Sequence, residues 1–169
     1  MTGFGASVLA YDPQPAVEVQ SMSGVRRTSL EQLVEQSDII SLHCPLTEQI
    51  RHLIDAERLS RMKPGVLLLN TSRGGLIDTK VLIQSLKAGR LGGAGLDVYE
   101  EEEGIFFADF LDRGLQDDVL ARLLAFPNVL VTSHQAFLTH EALHNIAART
   151  LQSLLKFSAG QISAEARLV

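Results

Sequence analysis

Val66-Leu67-Leu68-Leu69-Asn70-Thr71-Ser72-Arg73-Gly74-Gly75-Leu76-Ile77-Asp78 is the stretch on which the fold turns. Its first five residues are apolar up to the last one instead of alternating, the pattern of a strand covered on both faces in a parallel sheet. A polar run with two glycines follows, so the chain turns tightly at the carboxyl end of the strand. Asp78 then reads as the N-cap of a helix through Val81, Leu82 and Leu86, stopped by Gly89. Residues 93–98 read as the next strand. Strand, crossover helix and second strand make a βαβ unit, because parallel neighbours need a connection long enough to hold a helix.

The same alternation extends in both directions. Residues 7–11, 38–44 and 129–133 are further short apolar runs that predict strands. Thr28 with Glu31 three residues on predicts a capping box, opening a helix over 28–36 with Leu30, Leu33 and Val34 on one stripe. A last helix fits 139 to about 158, with Leu143, Ile146, Ala147, Leu151, Leu154 and Leu155 expected on its buried side. Residues 104–118, carrying Ile105, Phe106, Phe107, Phe110 and Leu111, are neither cleanly helical nor extended and are expected to pack on something. The fold class is therefore α/β, a parallel, doubly wound sheet. At 169 residues, 46% of them hydrophobic, the chain is sized for one domain. Fifteen Lys and Arg against twenty Asp and Glu give a formal charge of −5. That is no field for a nucleic-acid backbone or an anionic membrane. No run suits a membrane span and the start lacks signal-peptide character, so the cytoplasm is the expected location. Cys44 is the only cysteine, which leaves no disulfide and no thiolate cluster for a metal.

Ligands of open parallel sheets bind beyond the carboxyl ends of the strands, and every predicted strand end here is polar. Asp12, after Tyr11, can accept hydrogen bonds from the two hydroxyls of an adenosine ribose; equally, Asp12-Pro13 can be a simple turn. Arg73 can hold a carboxylate with its planar fork, or lie on the surface as arginines commonly do. His134, beyond the last strand, can move a proton at a carbon–oxygen centre, or be structural. Residues 100–103, four glutamates, form a solvated acidic turn from which one carboxylate can orient an imidazole. His43, His52, His140 and His144 read as structural or surface residues, and Cys44 before Pro45 as a packed thiol.

Taken in order, Val8–Pro13, Ser41–Thr47, Leu69–Asp78, Gly95–Glu100 and Ser133–Thr139 resemble the NAD-binding domain of the D-isomer-specific 2-hydroxyacid dehydrogenases. The stretch ending His134-Gln135-Ala136-Phe137-Leu138-Thr139 is most similar to the fermentative D-lactate branch of that family. The resemblance implies an oxidoreductase using NAD and a small 2-hydroxy or 2-oxo acid such as D-lactate or pyruvate. It implies three catalytic residues: Arg73 on the substrate carboxylate, Glu102 (the second acid of Tyr-Glu-x-Glu) as the partner of the histidine, and His134 as the proton carrier. For the cofactor it implies Tyr11 and Asp12 at the ribose, Cys44 and Pro45 along the adenosine, Thr71, Ser72 and Arg73 near the nicotinamide, and Asp97 at the carboxamide. Phe137 is expected to line the substrate pocket. Ile50 departs from the pattern, standing where relatives often have a polar residue.

The family pattern also begins with a strand, a Gly-x-Gly-x-x-Gly turn and a helix. The turn is not among the 169 residues; Gly3-Phe4-Gly5 matches instead the tail of that first helix. The expectation is an incomplete Rossmann-like sheet over 1–169, a partial NAD-binding domain without its substrate domain, whose pyrophosphate lacks its usual helix N-terminus. Two strands would then flank a gap. Two readings follow: a dehydrogenase chain that is inactive by itself and homo-oligomeric with its kind, or a non-catalytic fragment acting as an interaction module.

Overall fold

The computed structural model describes residues 1–14, 22–102 and 117–161, except for the side chain of Ala136. The strands are β1 (Val8–Ala10), β2 (Val25–Arg27), β3 (Ile39–Leu42), β4 (Val66–Asn70), β5 (Leu91–Leu96) and β6 (Val129–Val131). The helices are α1 (Leu30–Gln36), α2 (Ala56–Arg61), α3 (Thr79–Lys87), α4 (Asp118–Leu124) and α5 (His140–Ser158). Every strand pair is parallel, in two ladders: β1 with β2, and β3-β4-β5-β6. Among the described strands, β1 and β3 each have a hydrogen-bonded neighbour on one side only. The chain divides into two compact units, Met1–Ser133 and His134–Val169.

Within the first unit, side chains alternate along the four-stranded ladder. Ile40, Leu42, Val66, Leu68, Ala94 and Leu96 point to one face and join Val34 of α1, Leu59 of α2, Leu82 and Leu86 of α3, and Leu120 and Leu123 of α4 in a single core. Each crossover helix thus contributes its apolar stripe to the same layer. The opposite face departs from the sequence expectation of double coverage: Ile39 is 49% exposed, Leu67 41% and Leu130 64%. Strands apolar on both faces fit a sheet with two covering layers; within Met1–Ser133 the described residues supply one.

Local readings hold where they rest on local chemistry. Asp78 caps α3, its Oδ1 accepting from the Val81 amide at 3.1 Å, and Gly89 follows the helix at φ 65°. Thr139 caps α5 through the Ala142 amide. Residues Thr2–Phe4 form a 3₁₀ turn closed by Gly5 at φ 74°, the helix tail expected there. Three corrections are needed. The cap of α1 is Ser29, whose Oγ accepts from the Gln32 amide at 3.2 Å, so the cap sits one residue beyond the predicted Thr28. β2 and α2 were not foreseen. The stripe of α5 exists, but no residue of that helix is buried: Leu143, Ile146, Leu151, Leu154 and Leu155 are all exposed. Of 104–118, all but the end at Asp117 and Asp118 lies outside the described residues.

Candidate active site

The carboxyl ends of β4, β5 and β6 are stitched into one rim. Asn70, the last residue of β4, is 1% exposed and organises the turn after it: its Oδ1 accepts from the Ser72 amide at 3.1 Å and its Nδ2 donates to the Arg73 carbonyl at 2.8 Å. Its own carbonyl accepts from the Asp97 amide at 2.9 Å. The Asp97 carboxylate in turn accepts from the Thr132 hydroxyl at 2.5 Å, just beyond β6. Burying an amide side chain is favourable only because these partners replace water. Sequence reasoning passed over Asn70, although a polar residue closing an otherwise apolar strand is the available signal.

The Ser72 hydroxyl donates to the Cys44 carbonyl at 2.5 Å, which brings the turn after β3 against the turn after β4. Burial pushes the Cys44 thiol above its ordinary range; a backbone hydrogen bond opposes this and the Asp12 carboxylate adds to it. The Asp12 carboxylate and the Cys44 thiol therefore lie within electrostatic reach of each other. Asp12 Oδ1 also accepts from the Gln14 amide at 2.7 Å, an Asx turn over Asp12-Pro13 that leaves the second carboxylate oxygen out of that bond. Tyr11 is 46% exposed beside it, and Pro45 and Thr71 are exposed.

Arg73 is exposed and rests one guanidinium nitrogen on the Ser72 carbonyl at 2.7 Å. The next residue fixes where this turn sits. A Cβ on Gly74 would lie 2.1 Å from both the carbonyl carbon and oxygen of Tyr99, so the turn carrying Arg73 lies directly on the backbone leading to Glu102. No other residue permits that approach. Glu102 is half-buried, and its Oε2 accepts from the Tyr99 amide at 2.9 Å. The Tyr99 ring is buried and its hydroxyl donates to Asp117 Oδ2 at 2.9 Å; burial first, then that carboxylate, holds the phenol well above its ordinary range.

His134 opens the second unit. It lies three residues beyond the end of β6, with φ 57°, and Ser133 before it has φ 54°. Two consecutive non-glycine residues in the left-handed region are uncommon, and such backbones gather at functional positions. Phe137 ends the 3₁₀ turn Gln135–Phe137 and is 41% exposed. Ile50, the departure from the family pattern, is half-buried against the first unit's core.

A parallel sheet whose strands end in polar turns, with an exposed arginine seated on the backbone that leads to a clamped glutamate, has the frame on which open α/β domains bind ligands beyond the carboxyl ends of their strands. Residues 1–136 match the family description "D-isomer specific 2-hydroxyacid dehydrogenase, NAD binding domain". The chain belongs to that family. It is 56% identical over 159 residues to a 2-hydroxyacid dehydrogenase homolog of Zymomonas mobilis, covering 94% of this chain and 48% of that protein. It is 47% identical over 161 residues to the D-lactate dehydrogenase of Escherichia coli, covering 95% and 49%. Among solved structures, the pyruvate reductase of Chlamydomonas reinhardtii superposes with a TM-score of 0.86 at 43% identity, covering 96% of this chain and 50% of that one. A D-lactate dehydrogenase from Treponema pallidum gives 0.84 at 37% identity, covering 96% and 49%. The chain spans about half the length of the curated relatives it matches.

Proposed function

We propose that these residues form the NAD-binding half of a D-2-hydroxyacid dehydrogenase that interconverts a small 2-oxo acid such as pyruvate and its D-2-hydroxy acid. The observation that carries the reading is the seating of the Arg73 turn on the Tyr99 backbone, which ties a carboxylate-binding cation to the turn bearing Glu102. Arg73 grips the substrate carboxylate bidentately and offsets charge developing on the oxygen at C2. Glu102 orients the His134 imidazole and favours its protonated form, and His134 exchanges the proton with that oxygen.

The residues present fit NAD at its two ends. The second oxygen of Asp12 suits the adenosine ribose beside Tyr11, Cys44 and Pro45, and Thr71, Ser72 and Asp97 suit the nicotinamide end. The bound cofactor supplies the hydride chemistry. We place this chemistry in the cytoplasm, with the small acid as partner, subunits assembling as homo-oligomers, and neither nucleic acid nor membrane involved. Among the described residues, no helix is long and apolar enough to cross a membrane.

Two measurements test this reading. In a polypeptide that carries these residues and turns over a 2-oxo acid, His134→Ala removes most of the turnover while NADH binding stays nearly intact. Arg73→Lys chiefly raises the KM for the 2-oxo acid, because a point charge does not reproduce the fork. Turnover surviving His134→Ala refutes its role as proton carrier. The competing reading, a non-catalytic interaction module, draws on the uncovered face holding Ile39, Leu67 and Leu130. It gains if no 2-oxo acid is reduced under any of these conditions.

A further inference from the structure

Glu100 lies two residues before Glu102, and its side chain is only 12% exposed. Four donors converge on its two oxygens. Oε1 accepts from Arg51 Nη2 at 2.9 Å and from His52 Nε2 at 2.6 Å; Oε2 accepts from the Thr79 hydroxyl at 3.2 Å and the Thr79 amide at 3.4 Å. These donors come from two places: the loop after β3, and the first turn of α3. That loop is itself laced to the Arg73 turn, since the His52 amide donates to the Gly75 carbonyl at 2.8 Å and the Ile54 amide to the Leu76 carbonyl at 2.9 Å. His52 holds φ 54°, a conformation that persists only where its surroundings over-determine it. With Gly74 seated on the Tyr99 backbone, Glu100 closes a ring of contacts running from the Arg73 turn through the 51–54 loop and back to the turn carrying Glu102.

We infer that Glu100 is a positioning residue: through His52, Arg51 and Thr79 it fixes the Arg73 turn against the Glu102 turn. The inference deepens the reading above and rests on its assignment of Arg73 and Glu102. An ionised carboxylate is the side chain this spot needs, because it offers only acceptors to four donors. A glutamine keeps one acceptor and turns N–H groups toward the other pair of donors. Displacing a substrate-positioning group by about 1 Å can cost about a hundredfold in rate, so a clamp remote from the reacting atoms still bears on turnover.

The test uses Glu100→Ala, Glu100→Gln and His52→Asn. Asparagine tolerates the left-handed backbone at position 52, but its side chain is too short to reach Glu100. In the chain as it stands, amide hydrogen exchange is followed at residues 73–77 and 97–102 and compared with β4. Glu100→Ala is expected to accelerate exchange in the two turns by about tenfold or more with β4 unchanged, with Glu100→Gln intermediate. His52→Asn shows the same local pattern, and decides the matter should Glu100→Ala fail to fold. In a longer polypeptide with turnover, kcat falls about tenfold to a hundredfold while the KM for NADH holds, and Glu100→Gln recovers part of the loss. Unchanged exchange in both turns, or equal acceleration at every amide including β4, overturns the inference. A wild type that reduces no 2-oxo acid fails the functional reading alone, and the exchange result still decides the role of Glu100.

Discussion

Asn70 and Glu100 show what single residues do for this rim. Asn70→Ala strips the Ser72 amide and the Arg73 carbonyl of their partner in a part-buried turn, an expected cost of about 1–3 kcal/mol. Urea unfolding checks it, and a midpoint equal to wild type refutes it. Glu100 adds a pH dependence. Burial pushes its carboxyl upward, but the hydrogen bond from His52, the Thr79 amide, the His52 charge and the Thr79 hydroxyl outweigh that and leave it below its ordinary value of 4.5. A carboxyl lowered by folding stabilises the native state above its unfolded pKa, and that contribution disappears as the pH falls through the folded value. Wild type is therefore expected to exceed Glu100→Gln in stability at pH 7, with the gap shrinking steadily below pH 4.5. Urea midpoints of the two proteins between neutral and acid pH measure it; a gap that is constant or widens with acid contradicts the assignment. Glu100 is not legible as a clamp from sequence, because His52 and Glu100 are 48 residues apart and meet only in the fold, whereas the partners of Asn70 lie two and three residues along the chain.

Elements were legible in proportion to how local their determinants are. β4 and α3 announce themselves through an apolar run, two glycines and Asp78, all inside one stretch. β2 does not: Val25-Arg26-Arg27 carries two exposed arginines and is a strand only because Val8, Leu9 and Ala10 lie beside it in register. α2, six residues long with Leu59 alone buried, is too short for a periodic pattern, although Asp55 caps it as Asp78 caps α3. The misplaced cap of α1 has a similar source, since Thr28 and Ser29 are adjacent hydroxyls and the tertiary fold selects between them. The polar ends of the strands were readable for the same reason as β4; the hydrogen bonds that join them were not, because each partner belongs to a different strand. Asp78 offers the test at this scale. Asp78→Ala removes the acceptor of the Val81 amide at the start of α3 and is expected to cost about 1 kcal/mol. Because α3 packs its buried side on the core, thermal unfolding registers the loss directly, and a Tm within error of wild type contradicts it.

At the scale of the whole chain, the unusual feature is the amount of strand backbone and apolar sheet surface without a covering layer among the described residues. β1 and β3 each pair on one side, and Ile39, Leu67 and Leu130 share the uncovered face of the four-stranded ladder through the register Ile39↔Leu67, Leu67↔Gly93 and Gly95↔Leu130. Unpaired parallel edges and flat apolar surface are templates for association, and a formal charge of −5 over 169 residues gives only modest repulsion against it. The isolated chain is therefore expected to associate with rising concentration through the range of roughly ten to a few hundred micromolar where such surfaces aggregate. Ile39→Lys combined with Leu130→Lys places two charges on the open face without entering the core that Ile40, Leu68 and Ala94 build behind it. Light scattering should show the double variant associating less at every concentration, while circular dichroism reports unchanged secondary structure. A wild-type chain that stays monomeric across that range, or a double variant that associates as strongly, would show that this face is not what drives the contact.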